Sequence, residues 1–278
     1  MTLAVAVVTS DGIVVAADSR TTWGGNPTRV LSDFTHKVFR VGDVAIATFG
    51  FAFLSGRNIA GHMGEFAQQA ATESPGPEKT AELLRDFFGE RLERHFGEGS
   101  DTRPDPGVDS LGFLIGGYSD GMGSIWELGL PTANVSKIAD SASGGGAAWR
   151  GQGEIFTRLV KGVDLSNLLI LTDGADGLRQ NIEALQPTFE KMEFAIPFGS
   201  MGLQDAIDIA VLAIRTTIDV QRLTFGTIGT IEQVGSWPGV GGPIEIAAVT
   251  PIDGFSWVQR TLLQGERPAG AAEQDQSR

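Results

Sequence analysis

Thr2 follows Met1, and an apolar run follows Thr2. A small residue at position 2 is the condition under which methionine aminopeptidase trims a chain, so the expected mature N-terminus is Thr2. Trimming gives this threonine a free α-amino group. A threonine hydroxyl is a weak nucleophile and needs a base within hydrogen-bond reach. An α-amine, with a pKa of about 7.7–8.0, supplies one close to neutral pH, and no histidine is required. Asp11-Gly12 is a strong hairpin signal between the apolar runs 2–9 and 13–17. A turn there brings residues 18–21 opposite Thr2, with the register open by one residue. A hydroxyl then lies beside a carboxylate, Asp18, and a guanidinium, Arg20. A lysine cation nearby would lower the hydroxyl pKa, and a carboxylate would orient that lysine.

The elements that must hold these groups follow from periodicity. The runs 2–9 and 13–17 are almost continuously apolar and β-branched, as in strands buried on both faces. A further strand pair is expected near 36–41 and 44–49, turning at Gly42-Asp43. Helices are expected over 52–71 and 78–96; Leu84, Phe88, Leu92 and Phe96 form one stripe on the second. Off that stripe, Leu83 and Phe87 widen the apolar face. Residues 98–108 read as a loop, and strands resume at 110–117 and 122–130. Residues 141–151 are glycine-rich, and helices are expected near 152–161, 177–192 and 203–222. Leu203, Ile207, Val211, Ile214 and Ile218 mark the buried face of the last. A glycine-rich loop spans 223–242, and strands near 244–250 and 255–261 close the pattern. Helix pairs separated by doubly buried strands predict an α+β fold, a four-layer αββα sandwich. We read one domain over 1–264, with insertions near 162–200 and 223–242, and a disordered tail over 265–278.

Composition narrows the function. The net charge of −13 and the lack of any basic run argue against nucleic acid as a partner. The chain has no cysteine, which removes disulfides, thiolate metal sites and cysteine nucleophiles. The N-terminus lacks the basic region of a signal peptide, and no apolar run approaches the roughly 20 residues that span a bilayer. A soluble cytoplasmic protein with no membrane partner is expected. His36, His62 and His95 are scattered without metal-ligand spacing, so neither a metal nor a cofactor is expected. The glycine runs at 144–146 and 239–242 lack the Lys-Ser or Lys-Thr of a phosphate loop.

The pattern Thr2 … Asp11-Gly12-Ile13-Val14-Val15-Ala16-Ala17-Asp18-Ser19-Arg20 … Lys37-Val38-Phe39-Arg40-Val41-Gly42-Asp43 … Ala45-Ile46-Ala47-Thr48-Phe49-Gly50 resembles proteasome β subunits. It is similar also to HslV-type peptidases and to the bacterial Anbu proteasome homologues. Lys37 comes three residues later than in a typical β subunit, behind the extra Trp23-Gly24-Gly25-Asn26-Pro27. Ser141-Ala142-Ser143-Gly144-Gly145-Gly146 looks like the family's Gly-Ser-Gly segment. The resemblance implies an N-terminal nucleophile hydrolase. Thr2 would be nucleophile and base, Lys37 the cation beside it, Asp18 the residue that orients Lys37, and Arg20 a brace. The backbone N–H of Gly50 would stabilise the oxyanion, and Ser143 would contact the Thr2 amine. Where β subunits carry an Asp ending the last helix and a Ser beyond it, the matching positions are Gln221 and Val240. The segment 162–200 has no counterpart in a plain β subunit.

Each residue also has a plain structural reading. Thr2 would be the first residue of a strand, Asp18 and Arg20 a pair at a strand end, Lys37 a snorkelling surface lysine, and Ser143 a turn residue. The joint spacing of Thr2, Asp18, Arg20 and Lys37 favours the catalytic reading; for Ser143 both readings stay open. The expected activity is that of a threonine endopeptidase acting on peptides or unfolded protein, in a homo-oligomer arranged as a ring or a helical stack. A catalytically inactive assembly subunit, or an amidase or transpeptidase on the same site, are the alternatives. The sequence identifies no ATPase partner and no cleavage preference.

Overall fold

In the computed structural model, β1 (Leu3–Val8) and β2 (Ile13–Asp18) are buried at every position. A strand with one wet face would alternate, so unbroken burial means that both faces are covered. The Thr9 N–H donates to the Gly12 carbonyl at 2.9 Å and closes the turn between them. The structure describes residues 2–23, 29–70, 75–97, 110–165, 168, 176–224 and 238–262.

Two five-stranded sheets build the centre. The first adds β12 (Gly146–Gly151), β13 (Ile244–Thr250) and β14 (Gly254–Gln259) in the order β12-β1-β2-β13-β14. The second holds β5 (Val38–Val41), β6 (Val44–Gly50), β9 (Leu111–Ser119), β10 (Met122–Leu130) and β11 (Asn134–Asp140), ordered β11-β10-β9-β6-β5. Every pairing within them is antiparallel. Small side chains fill the space between the sheets: Ala4, Ala6, Ala17, Ala45, Ala47, Ala148 and Ala247 among valines and isoleucines. A Cβ on Gly116 would come within 2.9 Å of both Ile13 and Val15, so the sheets touch there through a bare backbone.

Helices cover both outer faces. α1 (Ile59–Ala70) and α2 (Pro77–Phe96) pack on the second sheet around Phe66, Leu84, Phe88, Leu92 and Phe113. Phe88 has no exposed surface; truncation of such a side chain to alanine costs about 3–5 kcal/mol. α3 (Glu154–Lys161) and α5 (Leu203–Leu223) pack on the first sheet. α4 (Asp176–Phe189) lies in the segment expected as an insertion; of its described side chains only Ile182 is buried. The architecture is the predicted αββα sandwich. Among the described residues, no helix is long and apolar enough to cross a membrane.

Several local expectations are corrected. Residues 53–58 form a small hairpin, β7 (Phe53–Leu54) with β8 (Arg57–Asn58), not the start of a helix. The helix begins only at Ile59 because the Asn58 side chain accepts the Gly61 N–H at 2.8 Å and caps it. A short ribbon, β3 (Thr21–Trp23) with β4 (Arg29–Ser32), precedes β5. The glycine-rich stretch hides strand β12, whose Gly146 fits against Ala139 where a Cβ would stand 2.8 Å away. On α5 the fully covered stripe is Ala206, Ala210, Ala213, Ile214 and Thr217, with the large aliphatics on its flanks. Small residues let that helix approach the sheet closely. Phe87, which widens the apolar face of α2, packs edge-on against Phe66 in the seam between α1 and α2. The Arg91 guanidinium covers its ring at 3.4 Å. Residues 98–109 and 225–237, the inserted 24–27 and the tail over 265–278 lie outside the described residues.

Candidate active site

The hairpin register fixes where Thr2 stands. Ala4 pairs with Ala17, and the Leu3 N–H donates to Asp18 Oδ1 at 3.0 Å. Thr2 is therefore the next residue out, buried at the end of β1 beside the Asp18 carboxylate.

Asp18 is fully buried and accepts four hydrogen bonds. Its Oδ1 takes the Leu3 N–H and Lys37 Nζ, both at 3.0 Å. Its Oδ2 takes the Arg20 N–H at 3.1 Å and the Gly241 N–H at 3.0 Å. Donors on both oxygens compensate the desolvated charge and lock the carboxylate plane. Lys37, just before β5, reaches in from the second sheet. Its ammonium also donates to the Arg20 carbonyl at 2.5 Å. Burial holds the Lys37 pKa below the ordinary lysine range, against the opposing pull of Asp18. The cation is thus compact and desolvated.

Arg20 does not point its charge at Thr2. Its guanidinium clamps Asp33 through both oxygens, at 2.6 and 3.1 Å, and donates to the Pro238 carbonyl at 3.2 Å. Asp33 holds its pKa above the ordinary value. Gly241 lies flat against it, where a Cβ would stand 2.4 Å from Arg20 Cζ. The Arg20 contacts fasten 238–241 to the end of β2.

Gly50 ends β6 with φ +91°, and a Cβ there would lie 2.1 Å from the Ser110 carbonyl oxygen. Only glycine serves at such a position. Gly50, Thr2, Lys37, Thr21 and Thr48 line one narrow cleft, with Phe49 and Phe51 on its apolar side. Its cavity volume is about 20 Å³, room for about one water.

Ser143 is elsewhere. β12 pairs with β1 so that Gly151 faces Leu3 and Gly146 faces Val8. The turn that holds Ser143 therefore sits beyond Val8, at the opposite end of β1 from Thr2. Ser143 is exposed, and its N–H donates to Asp140 Oδ1 at 2.7 Å. The glycine-flanked polar residue beside Thr2 is Gln152, in Gly151-Gln152-Gly153. Its N–H donates to the Thr2 carbonyl at 2.8 Å, and a Cβ on Gly151 would fall 2.0 Å from that oxygen.

Sequence reasoning also missed how the shell closes. Gln221 Nε2 donates to Gln152 Oε1 at 3.2 Å, and Gln221 Oε1 accepts the Val240 N–H at 3.0 Å. The two positions that depart from the β-subunit pattern, Gln221 and Val240, are thus bonded to each other. With Gly241 on Asp18, a continuous chain runs from the Thr2 carbonyl through Gln152, Gln221 and Val240 to the Asp18 carboxylate. Asp33 and Glu245 gave no sequence signal beyond their acidity; the Gly241-Gly242 pair before β13 was the one local hint.

No family model matches the chain, and no curated protein matches it. Solved structures do. The Anbu complex from Pseudomonas aeruginosa, described as a helical assembly, aligns with a TM-score of 0.56 at 15% identity, over 95% of this chain and 88% of that one. An Anbu (Gly-1) mutant from Hyphomicrobium sp. strain MC1 aligns at 0.53 and 16% identity, over 93% and 86%. Anbu, termed an ancestral β-subunit, from Yersinia bercovieri aligns at 0.52 and 14%, over 92% and 86%. The likeness establishes the fold, an αββα sandwich shared with these Anbu structures.

Proposed function

We propose that the protein is a threonine endopeptidase of the proteasome and Anbu type, with Thr2 as nucleophile once Met1 is removed. The observation that carries this reading is the buried Lys37–Asp18 pair, whose lysine lines one cleft with Thr2. A buried ion pair of this kind is a poor route to stability, because desolvation offsets most of its attraction. Its place beside a chain-terminal hydroxyl gives it a chemical use.

In this reading the Thr2 amine takes the hydroxyl proton as Oγ attacks a peptide carbonyl. The Lys37 ammonium stabilises the alkoxide character of Oγ, and the Gly50 N–H receives the developing oxyanion. Collapse expels the amine product, which leaves with the proton. Water then cleaves the Thr2 ester and restores the hydroxyl. The substrates are peptides or unfolded protein. The absence of cysteine fits a cytoplasmic setting. Assembly of identical subunits into a ring or helical stack is part of the proposal, supported by the helical assembly of the Pseudomonas aeruginosa neighbour.

Hydrolysis of fluorogenic peptides by the wild type and by Thr2→Ala is the test. The variant is expected to keep its fold and lose turnover. Turnover that survives the substitution contradicts the mechanism.

A further inference from the structure

Glu245 is a second carboxylate with no exposed surface, and the Thr2 scheme does not use it. It projects from β13 of the first sheet toward the start of β5 in the second. Its Oε2 accepts the backbone N–H of Lys37 at 3.0 Å and of Val38 at 3.3 Å. Its Oε1 meets His36 Nδ1 at 2.5 Å. An unpaired buried carboxylate costs several kcal/mol, and these three contacts supply its compensation.

The placement matters because of what it holds. The residue clamped by its backbone is the one whose ammonium sits on Asp18. The ring held at Nδ1 lines the Thr2 cleft. Of the other two histidines, His62 bonds the Leu54 carbonyl and His95 takes the Ser55 N–H, both away from this cleft. A carboxylate facing Nδ1 requires a hydrogen there, so neutral His36 carries its lone pair on Nε2.

We propose that Glu245 and His36 are positioning residues of the Thr2 centre: one Glu245 oxygen seats the Lys37 backbone, and His36 anchors the other. This deepens the threonine-nucleophile reading and rests on it. His36 stands among several charged groups. Glu245 faces it from β13. Lys37 neighbours it at the start of β5, and Arg20 shares its cleft from the end of β2. Arg40 and Arg260 share a second cavity that His36 also lines, where α1 presents only Ala60 and Gly64. Loss of Glu245 or of its His36 anchor frees the Lys37 backbone, and with it the seat of the ammonium on Asp18, so acylation of Thr2 slows.

The test is the rate at which a β-lactone acylates Thr2, read by mass spectrometry from pH 5 to about 8.5. His36→Gln, at a partly exposed position, is expected to fold and to label with a lower maximal rate at an unchanged half-saturating lactone concentration. Glu245→Gln is expected to lower the rate at the optimum by about tenfold or more, the usual effect of removing a group that orients a reactive centre. A maximal labelling rate in His36→Gln equal to that of wild type overturns the proposal even if Glu245→Gln fails to fold. Wild type that takes no label on Thr2 at any pH overturns the threonine-nucleophile reading, and this inference with it.

Discussion

Lys37 is the residue whose chemistry is most constrained. Its ammonium fits between Asp18 Oδ1 and the Arg20 carbonyl, in a cleft with room for about one further water. Lys37→Ala is expected to lower kcat/KM on the order of hundreds-fold, as for other preorganised charges. Lys37→Arg is expected to fare nearly as badly, since a planar fork does not replace a compact ammonium. Steady-state hydrolysis of a fluorogenic peptide checks both, and near-normal turnover in the arginine variant would make Lys37 a structural residue. Thr2, Asp18 and Arg20 could be placed together from the sequence because a two-residue turn between continuous apolar strands fixes distances along the chain, whereas Lys37 came only from the resemblance to β subunits. Gln152, Gln221, Asp33 and Glu245 could not be placed from it. They come from other parts of the chain, and nothing local distinguishes them from surface polar residues.

At the scale of elements, the strands with unbroken apolar runs could be read, and β12 could not. Its glycines and alanines exist to let Thr2 and Ala139 pack close, and such residues carry no strand periodicity. That loss misplaced Ser143 by the length of β1. The turn where Ser143 resides has its own consequence. Lys137 and the Ser143 N–H stabilise the ionised Asp140 carboxylate and hold its pKa down, to about 2. In the unfolded chain the same group titrates near 4. The folded state therefore gains from this carboxylate above pH 4, and the gain is lost as pH falls from about 4 to about 2. Asp140→Asn is expected to lower the urea midpoint at pH 6 and to match wild type near pH 2. A difference that grew on acidification would reverse the assigned sign.

For the whole molecule, four layers followed from the order of apolar strands and helix pairs, whereas the contact surface between subunits did not. Phe87 lies in the α1–α2 seam under Arg91, so Phe87→Glu is now expected to destabilise the fold instead of parting subunits. Leu212 and Leu223 stay exposed along α5, a further apolar surface on the outside of the sandwich. Light scattering at micromolar concentration is expected to give a mass several times the 29.4 kDa of one chain; a clean monomer contradicts assembly. The central claim is that a free Thr2 amine and its own hydroxyl act together, and an epoxyketone tests both at once because it bridges the two. Mass spectrometry of the N-terminal peptide after incubation is predicted to find a chain that begins at Thr2 and carries the probe on that residue. Retained Met1, or a trimmed Thr2 that takes no probe, would contradict the account.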